Sequence, residues 1–217
     1  MKKIFIVGGN GFARECYYNL ILMKELDPKI EFAGFLGHGG YGQTVDYKEL
    51  QHLYKGEVSE FNFNENEYIV IGAGYPDLRR KIYNELKARH LKFFNIYIGK
   101  PLKNSVSIGE ANIITPPAHF SCGIKIGNGN VFNGDVIVGH DVEVGEFNFL
   151  GPRAQVLGNV KIGNMNTIGA NSILLPNAKI GDNNKIAPLS AVYKGCKNNC
   201  YMSGNPALKI GSIENSD

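Results

Sequence analysis

The chain has 217 residues, 43% of them apolar and 20% charged, with a formal net charge of +3. That is the composition of a globular protein of one large or two small domains with real cores. Without a dense Lys/Arg cluster the small positive charge gives no reason to expect nucleic acid. The N-terminus, MKKIFIVGG, starts directly on a strand-like run, and nowhere do eighteen apolar residues follow one another, so neither export nor a membrane span is expected and the cytoplasm is the default. The four cysteines, Cys16, Cys122, Cys196 and Cys200, lack the spacing of a disulfide framework.

Up to about residue 90, short apolar runs alternate with helical patterns. KIFIVGG reads as a buried strand ending in glycines. The segment ARECYYNLILMKEL then sets Cys16, Leu20 and Met23 at helical spacing. KIEFAGFLG is a second strand, VDYKELQHLYKG contains a short helix, and EYIVIGAG is a further strand ending in glycines. In PDLRRKIYNELKARH, Pro76 suits the first turn of a helix. This alternation predicts a small parallel, Rossmann-like α/β sheet with helices on its faces over residues 1–100, with KFFNIYI as the strand that leaves it.

After residue 100 the period becomes six. From Ile108 to Val192 every sixth residue is apolar, and glycine often follows it, as in Ile126-Gly127, Val144-Gly145 and Ile162-Gly163. Neither a helix nor a flat strand has that period, whereas a hexapeptide parallel β-helix does. Each repeat supplies one short strand and a corner, and three repeats close a triangular coil. The fifteen repeats therefore make five coils over residues 101–195, stacked about 4.8 Å apart. The apolar residue faces inward and the small residue beside it leaves room at the turn. The tail, YMSGNPALKIGSIENSD, abandons the period and ends polar, so residues 196–217 are expected to leave the helix.

One residue stands out in the repeats. In NGDVIVGHDVEVGEF, His140 interrupts a run of small, apolar and acidic residues. Imidazole accepts and returns protons near neutral pH, which makes it the usual general base. Asp141 follows it at once, and the pair meets only if His140 lies at a corner, which its place two residues after the inward Val138 allows. The loop GGNGFARE puts Gly8, Gly9, Asn10 and Gly11 between a strand and a helix, where backbone amides make a phosphate site. Gly72 and Gly74, ending another parallel strand beside Tyr75, border the same crevice. The second strand ends GFLGHGG with no carboxylate for a ribose, which argues against NAD and leaves His38 or nearby backbone to meet base or sugar.

Taken together, IFIVGGNGFARE, YIVIGAGYPDLRRKIYNEL, VFNGDVIVGHDVEVGEFNFLGPRAQVLGNVKIG and YMSGNPALK resemble the bacterial sugar acyltransferases of the sialic-acid O-acetyltransferase and bacillosamine-pathway N-acetyltransferase type, along almost the whole chain. The resemblance implies a nucleotide-sugar domain, a left-handed parallel β-helix, acetyl-coenzyme A as acyl donor, and a homotrimer with active sites between subunits. It puts the catalytic histidine at His140 and its orienting acid at Asp141. Asn133 matches a pocket asparagine, and Gly158, one coil after His140, matches the residue whose N–H supports the oxyanion. Gly204, Asn205, Pro206, Ala207 and Lys209 match the coenzyme-binding tail, with Lys209 toward a phosphate. Phe149 departs from the pattern, since the bacillosamine-pathway enzymes carry a second histidine there; the change leaves His140 as sole base and admits a different acyl group.

The reaction this implies is acetylation of the 4-amino group of a nucleotide-linked 4-amino-4,6-dideoxy sugar (UDP, dTDP or GDP). O-acetylation of a sialic acid or similar sugar is the alternative, and an inert β-helix scaffold the other class of reading. The same repeat fold carries zinc enzymes. Their sites gather three histidines, however, and this half offers only His119 and His140, so no metal is expected.

Overall fold

The computed structural model describes residues 1–98 and 105–213 and divides the chain into two units, residues 1–98 and 99–217. The expected domain boundary at 100/101 lies outside the described residues.

The first unit is an α/β sheet. Strands β1 (Lys2–Val7), β2 (Ile30–Gly37), β3 (Tyr54–Glu57) and β4 (Glu67–Ile71) pair in the order β3-β2-β1-β4, all parallel. Ile4, Ile6, Leu36, Ile69 and Ile71 are buried in it. Helix α1 (Gly11–Leu26) follows β1 and buries Ala13, Cys16 and Leu20; helix α2 (Pro76–Ala88) follows β4 with Pro76 in its first turn. The short helix in VDYKELQHLYKG is a 3-10 turn, Lys48–Leu53, and β3 follows it directly, a strand its sequence does not announce. Phe93 makes a single bridge to Ile69, and only Ile96–Tyr97 of KFFNIYI is strand.

The second unit is the parallel β-helix. Its fifteen two-residue strands from Ser107–Ile108 to Ala191–Val192 end on the fifteen apolar positions of the repeat. Partners lie eighteen residues apart: Val138 stacks between Phe120 and Val156, Val144 between Ile126 and Ile162, Leu150 between Phe132 and Ile168. Three sheets result, one per side of the coil. Of the fifteen, only Ile108 and Phe120, both in the first coil, are not fully buried.

From Gly123 to Leu189 each corner takes one residue in the left-handed region, recurring every six residues with φ between 53° and 68°. The glycine after the inward residue answers a different need. A Cβ on Gly127 would lie 2.7 Å from the carbonyl oxygen of Gly145, and one on Gly145 2.6 Å from that of Gly163. The coils are too close there for any side chain.

A ladder of buried asparagines runs up one corner: Asn112, Asn130, Asn148, Asn166 and Asn184. Each side-chain oxygen accepts the backbone N–H of the next asparagine at 2.8–2.9 Å, and Asn184 passes the pattern to Cys200. The amides also donate along the ladder and to carbonyls fifteen residues on, as from Asn148 to Gly163. Unpaired, these polar groups would each cost free energy inside an apolar coil; stacked, they satisfy one another.

The tail does not leave the helix as expected. Val192 is followed after four residues, not six, by the strand Gly195–Cys196, which pairs with Lys179–Ile180. Tyr201 and Met202 then pair in parallel with Lys185 and Ile186. Cys200–Gly204 turns back antiparallel as Ala207–Ser212, so the tail adds a hairpin to one sheet. The shortened corner shifts the phase and hides the continuation from a count of six. Among the described residues no helix is long and apolar enough to cross a membrane.

Candidate active site

His140 stands at the corner that follows the strand Ile137–Val138, as its offset from Val138 anticipates. The next residue, Asp141, takes φ 56°, and its N–H donates to the Cys122 carbonyl of the preceding coil at 2.9 Å. This left-handed residue is what lets neighbouring side chains meet: His140 Nδ1 lies 2.9 Å from Asp141 Oδ2. A carboxylate only accepts, so it holds the proton on Nδ1 and leaves the Nε2 lone pair open. Both side chains are more than half exposed, at 56% and 62%. The Asp141 carboxylate sits over Gly123, one coil back, where no Cβ would fit.

On the other side of the imidazole lies Gly158. A Cβ there would come 2.5 Å from His140 Nε2, so glycine leaves room for the ring. The Gly158 carbonyl accepts from Asn177 at 3.0 Å, whereas its N–H finds no acceptor among the described residues. An open base nitrogen therefore lies beside an unused backbone donor, the pair of groups that acyl transfer needs. Gly158→Ala is expected to lower kcat by about 10–100-fold, since its Cβ would displace the His140 ring, and to leave the circular dichroism spectrum unchanged. A variant that retains full activity would remove Gly158 from the site.

The other residues expected here lie apart from His140 within one chain. Asn133 is at a different corner, where its side chain accepts from the Thr115 hydroxyl at 3.1 Å and the Gly134 N–H at 2.8 Å. Phe149 is half-buried on another sheet, between Val131 and Thr167. His119 is an exposed strand residue opposite Ile137. Gly204, Asn205, Pro206 and Ala207 make the hairpin turn, pinned by the Gly204 N–H on the Ser190 hydroxyl at 3.1 Å, and Lys209 is exposed on the returning strand. Among the described residues no three His, Cys, Asp or Glu side chains gather as a metal-ligand set.

In the α/β unit the two glycine turns end adjacent strands β1 and β4. The first is packed against its own chain. The Thr44 carbonyl occupies the place of a Gly9 Cβ, and one on Gly8 would meet the Tyr41 ring at 2.9 Å. Asn10 caps α1 by accepting from the Ala13 N–H, and Gly11 opens the helix. His38 Nε2 lies 2.6 Å from Glu85 Oε2 on α2, and its backbone bridges Tyr41. Tyr75 is 82% exposed at the start of α2, just after Gly72 and Gly74.

Two residues here escape the sequence. Tyr41 lies across both turns, with its ring on Gly8 and its hydroxyl donating to the Gly72 carbonyl at 2.9 Å. Burial, first of all, pushes its hydroxyl up to about 12. Arg79 is wholly buried and donates from Nη1 to the carbonyls of Ile71 and Ala73. Burial pulls its guanidinium down to about 10, which still leaves it charged at neutral pH. A signal for Arg79 did exist: it stands with Ile82, Tyr83 and Leu86 on the buried stripe of α2.

A model of the bacterial transferase hexapeptide (six repeats) matches residues 159–194. The coil is built from that repeat. None of the curated proteins matches the sequence. Among solved structures, PerB from Caulobacter crescentus, in complex with CoA and GDP-perosamine, is 19% identical with a TM-score of 0.83, over 97% of this chain and 98% of that one. The acetyltransferase domain of PglB from Neisseria gonorrhoeae FA1090, in complex with acetyl coenzyme A, is 19% identical with a TM-score of 0.81, over 96% and 99%. WeeI from Acinetobacter baumannii AYE is 19% identical with a TM-score of 0.74, over 97% and 100%. The fold is therefore theirs, an α/β unit followed by a left-handed parallel β-helix.

Proposed function

We propose that the protein transfers the acetyl group of acetyl-coenzyme A to the 4-amino group of a nucleotide-linked 4-amino-4,6-dideoxy sugar. The observation that carries this reading is the corner itself: His140 held on Asp141, its open nitrogen beside the free N–H of Gly158. Support comes from proteins of the same fold, one holding acetyl coenzyme A and another, a perosamine N-acetyltransferase, holding CoA and GDP-perosamine.

The transfer is direct. The sugar amine attacks the thioester carbonyl carbon, a C–N bond forms, and the negative charge gathers on the carbonyl oxygen, where the Gly158 N–H stabilises it. His140 Nε2 takes the proton from the nitrogen, and Asp141 steadies the imidazolium that results. Collapse of the intermediate breaks the C–S bond; the departing thiolate takes up a proton and leaves as coenzyme A. No covalent enzyme intermediate and no metal is required.

The hairpin residues Gly204, Asn205, Pro206, Ala207 and Lys209 hold the coenzyme, and the glycine turns hold the activated sugar, Gly8, Gly9, Asn10 and Gly11 in the first, Gly72, Gly74 and Tyr75 in the second, with His38 nearby. Asn133 and Phe149 lie away from His140 in one chain, so their part in the pocket requires a neighbouring copy, as in a homotrimer with sites between subunits.

The product decides the reading. After reaction with a nucleotide-linked 4-amino sugar, NMR should show an acetamide at C4, stable to mild base. A base-labile ester on a hydroxyl would instead make the protein an O-acetyltransferase. Sedimentation should give the mass of three chains; a monomer that is fully active would refute shared sites.

A further inference from the structure

The strand order β3-β2-β1-β4 places the point where the winding reverses between β1 and β4, and the two glycine turns end those strands. Three consecutive carbonyls in the second turn are taken by two side chains, the buried Arg79 and the half-buried Tyr41. Arg79 Nη1 donates to Ile71 at 2.5 Å and to Ala73 at 2.9 Å, and the Tyr41 hydroxyl donates to Gly72 at 2.9 Å.

A peptide unit is planar and trans, so its N–H points opposite to its C=O. Fixing the Ile71 carbonyl therefore fixes the Gly72 N–H, which donates to Val7 at 2.7 Å across the sheet. Fixing the carbonyls of Gly72 and Ala73 likewise fixes the N–H groups of Ala73 and Gly74, aimed away from the Tyr41 and Arg79 donors. Neither of these two finds an acceptor among the described residues.

An arginine is an expensive choice for this post. It sits on the buried stripe of α2 at 1% exposure, where a leucine would serve packing at no cost in desolvation. What a leucine lacks is a donor such as Nη1, whose hydrogens reach the carbonyls on either side of Gly72. Tyr41 completes the set and touches Gly8 of the other turn, tying the two turns together.

Resting on the nucleotide-sugar reading above, we propose that Arg79 and Tyr41 are positioning residues for the substrate's diphosphate: by holding the carbonyls of Ile71, Gly72 and Ala73 they present the amides of Ala73 and Gly74 to its oxygens. Neither side chain touches the ligand. Both act through the backbone of the turn.

The test is calorimetric titration of the full-length protein with UDP, dTDP and GDP, and separately with acetyl-coenzyme A, followed by steady-state kinetics with the preferred nucleotide sugar. The variants are Tyr41→Phe, Arg79→Met and Arg79→Lys, each checked by its thermal transition. Tyr41→Phe should weaken the preferred diphosphate about 5–10-fold, the loss of one net hydrogen bond. Arg79→Met should weaken it more than about 10-fold, and Arg79→Lys should recover part of that loss. In kinetics KM for the nucleotide sugar rises by the same factors, while kcat and KM for acetyl-coenzyme A stay put, a split that a general loss of structure does not produce.

If wild type binds a diphosphate and folded Tyr41→Phe binds it equally well, the positioning role is overturned while the nucleotide-sugar reading stands. Should Arg79→Met fail to fold, Tyr41→Phe alone decides the matter. If wild type binds none of the three diphosphates, the nucleotide-sugar reading fails and this proposal falls with it.

Discussion

His140→Ala is expected to lower kcat for acetyl transfer by about 10²–10⁴-fold, the usual contribution of a positioned general base, and to leave the thermal transition in place. The second half follows from exposure: a side chain 56% open to solvent on a β-helix corner adds little to the core. Asp141→Asn is the milder companion. The amide still occupies the space over Gly123 but can turn its NH₂ toward the ring, so the proton is no longer held on Nδ1, and about a 10-fold loss is expected, smaller than that of removing the base. Stopped-assay kinetics on the three proteins check both. Equal rates for wild type and His140→Ala would take the base away from this corner.

The largest stability effect is expected from the asparagine ladder. Asn148 accepts from the backbone and the amide of Asn166, both at 2.9 Å, and donates to Asn130 and to the Gly163 carbonyl. Asn148→Ala strips partners from buried groups on both neighbouring coils. Each group left unsatisfied costs about 1–3 kcal/mol, so the total is expected at about 3–5 kcal/mol. Urea unfolding at fixed protein concentration should show the midpoint fall accordingly, whereas the exposed Gln155→Ala, on a neighbouring sheet, should shift it little. A loss below about 1 kcal/mol for Asn148→Ala would mean that the coils relax to re-pair those groups.

The repeats were legible because a coil imposes a hard period: one residue in six must face inward, and Ile108 to Val192 obey it without a slip. The ladder was not, although its asparagines recur every eighteen residues, because a polar residue is read as exposed until its partner is known. The tail misled for a related reason. The corner after Val192 is two residues short, so counting on in sixes reaches Asn198, whose side-chain oxygen caps the Asp182 N–H, while Cys196 takes the place beside Ile180 and Met202 the next one, beside Ile186. Strand pairing needs only that the chain return to the sheet edge, whatever the count.

In the candidate site, the meeting of His140 with Asp141 was readable as a condition, a corner two residues after Val138, and the positive φ of Asp141 satisfies it. In the sequence the glycines of the first turn point to ligand binding ahead of a simple tight turn. Gly8 and Gly9 are also needed by the chain itself, since Tyr41 and Thr44 pack directly on them. Tyr41 was missed because its contacts join segments distant in sequence, which no local pattern reports; Arg79 reaches carbonyls only six and eight residues back, and its place on the buried stripe of α2 is the signal that a charged residue there conceals.

The central claim is acetyl transfer from a thioester to an amino sugar, with His140 as base. Its most direct test follows free thiol released from acetyl-coenzyme A by the purified protein in the presence of UDP-, dTDP- and GDP-linked 4-amino sugars, beside His140→Ala. Rapid release with one of these sugars, lost in the variant, is the expected result. Silence across the amino sugars from folded protein, with release when hydroxyl sugars are supplied or with neither, would contradict it.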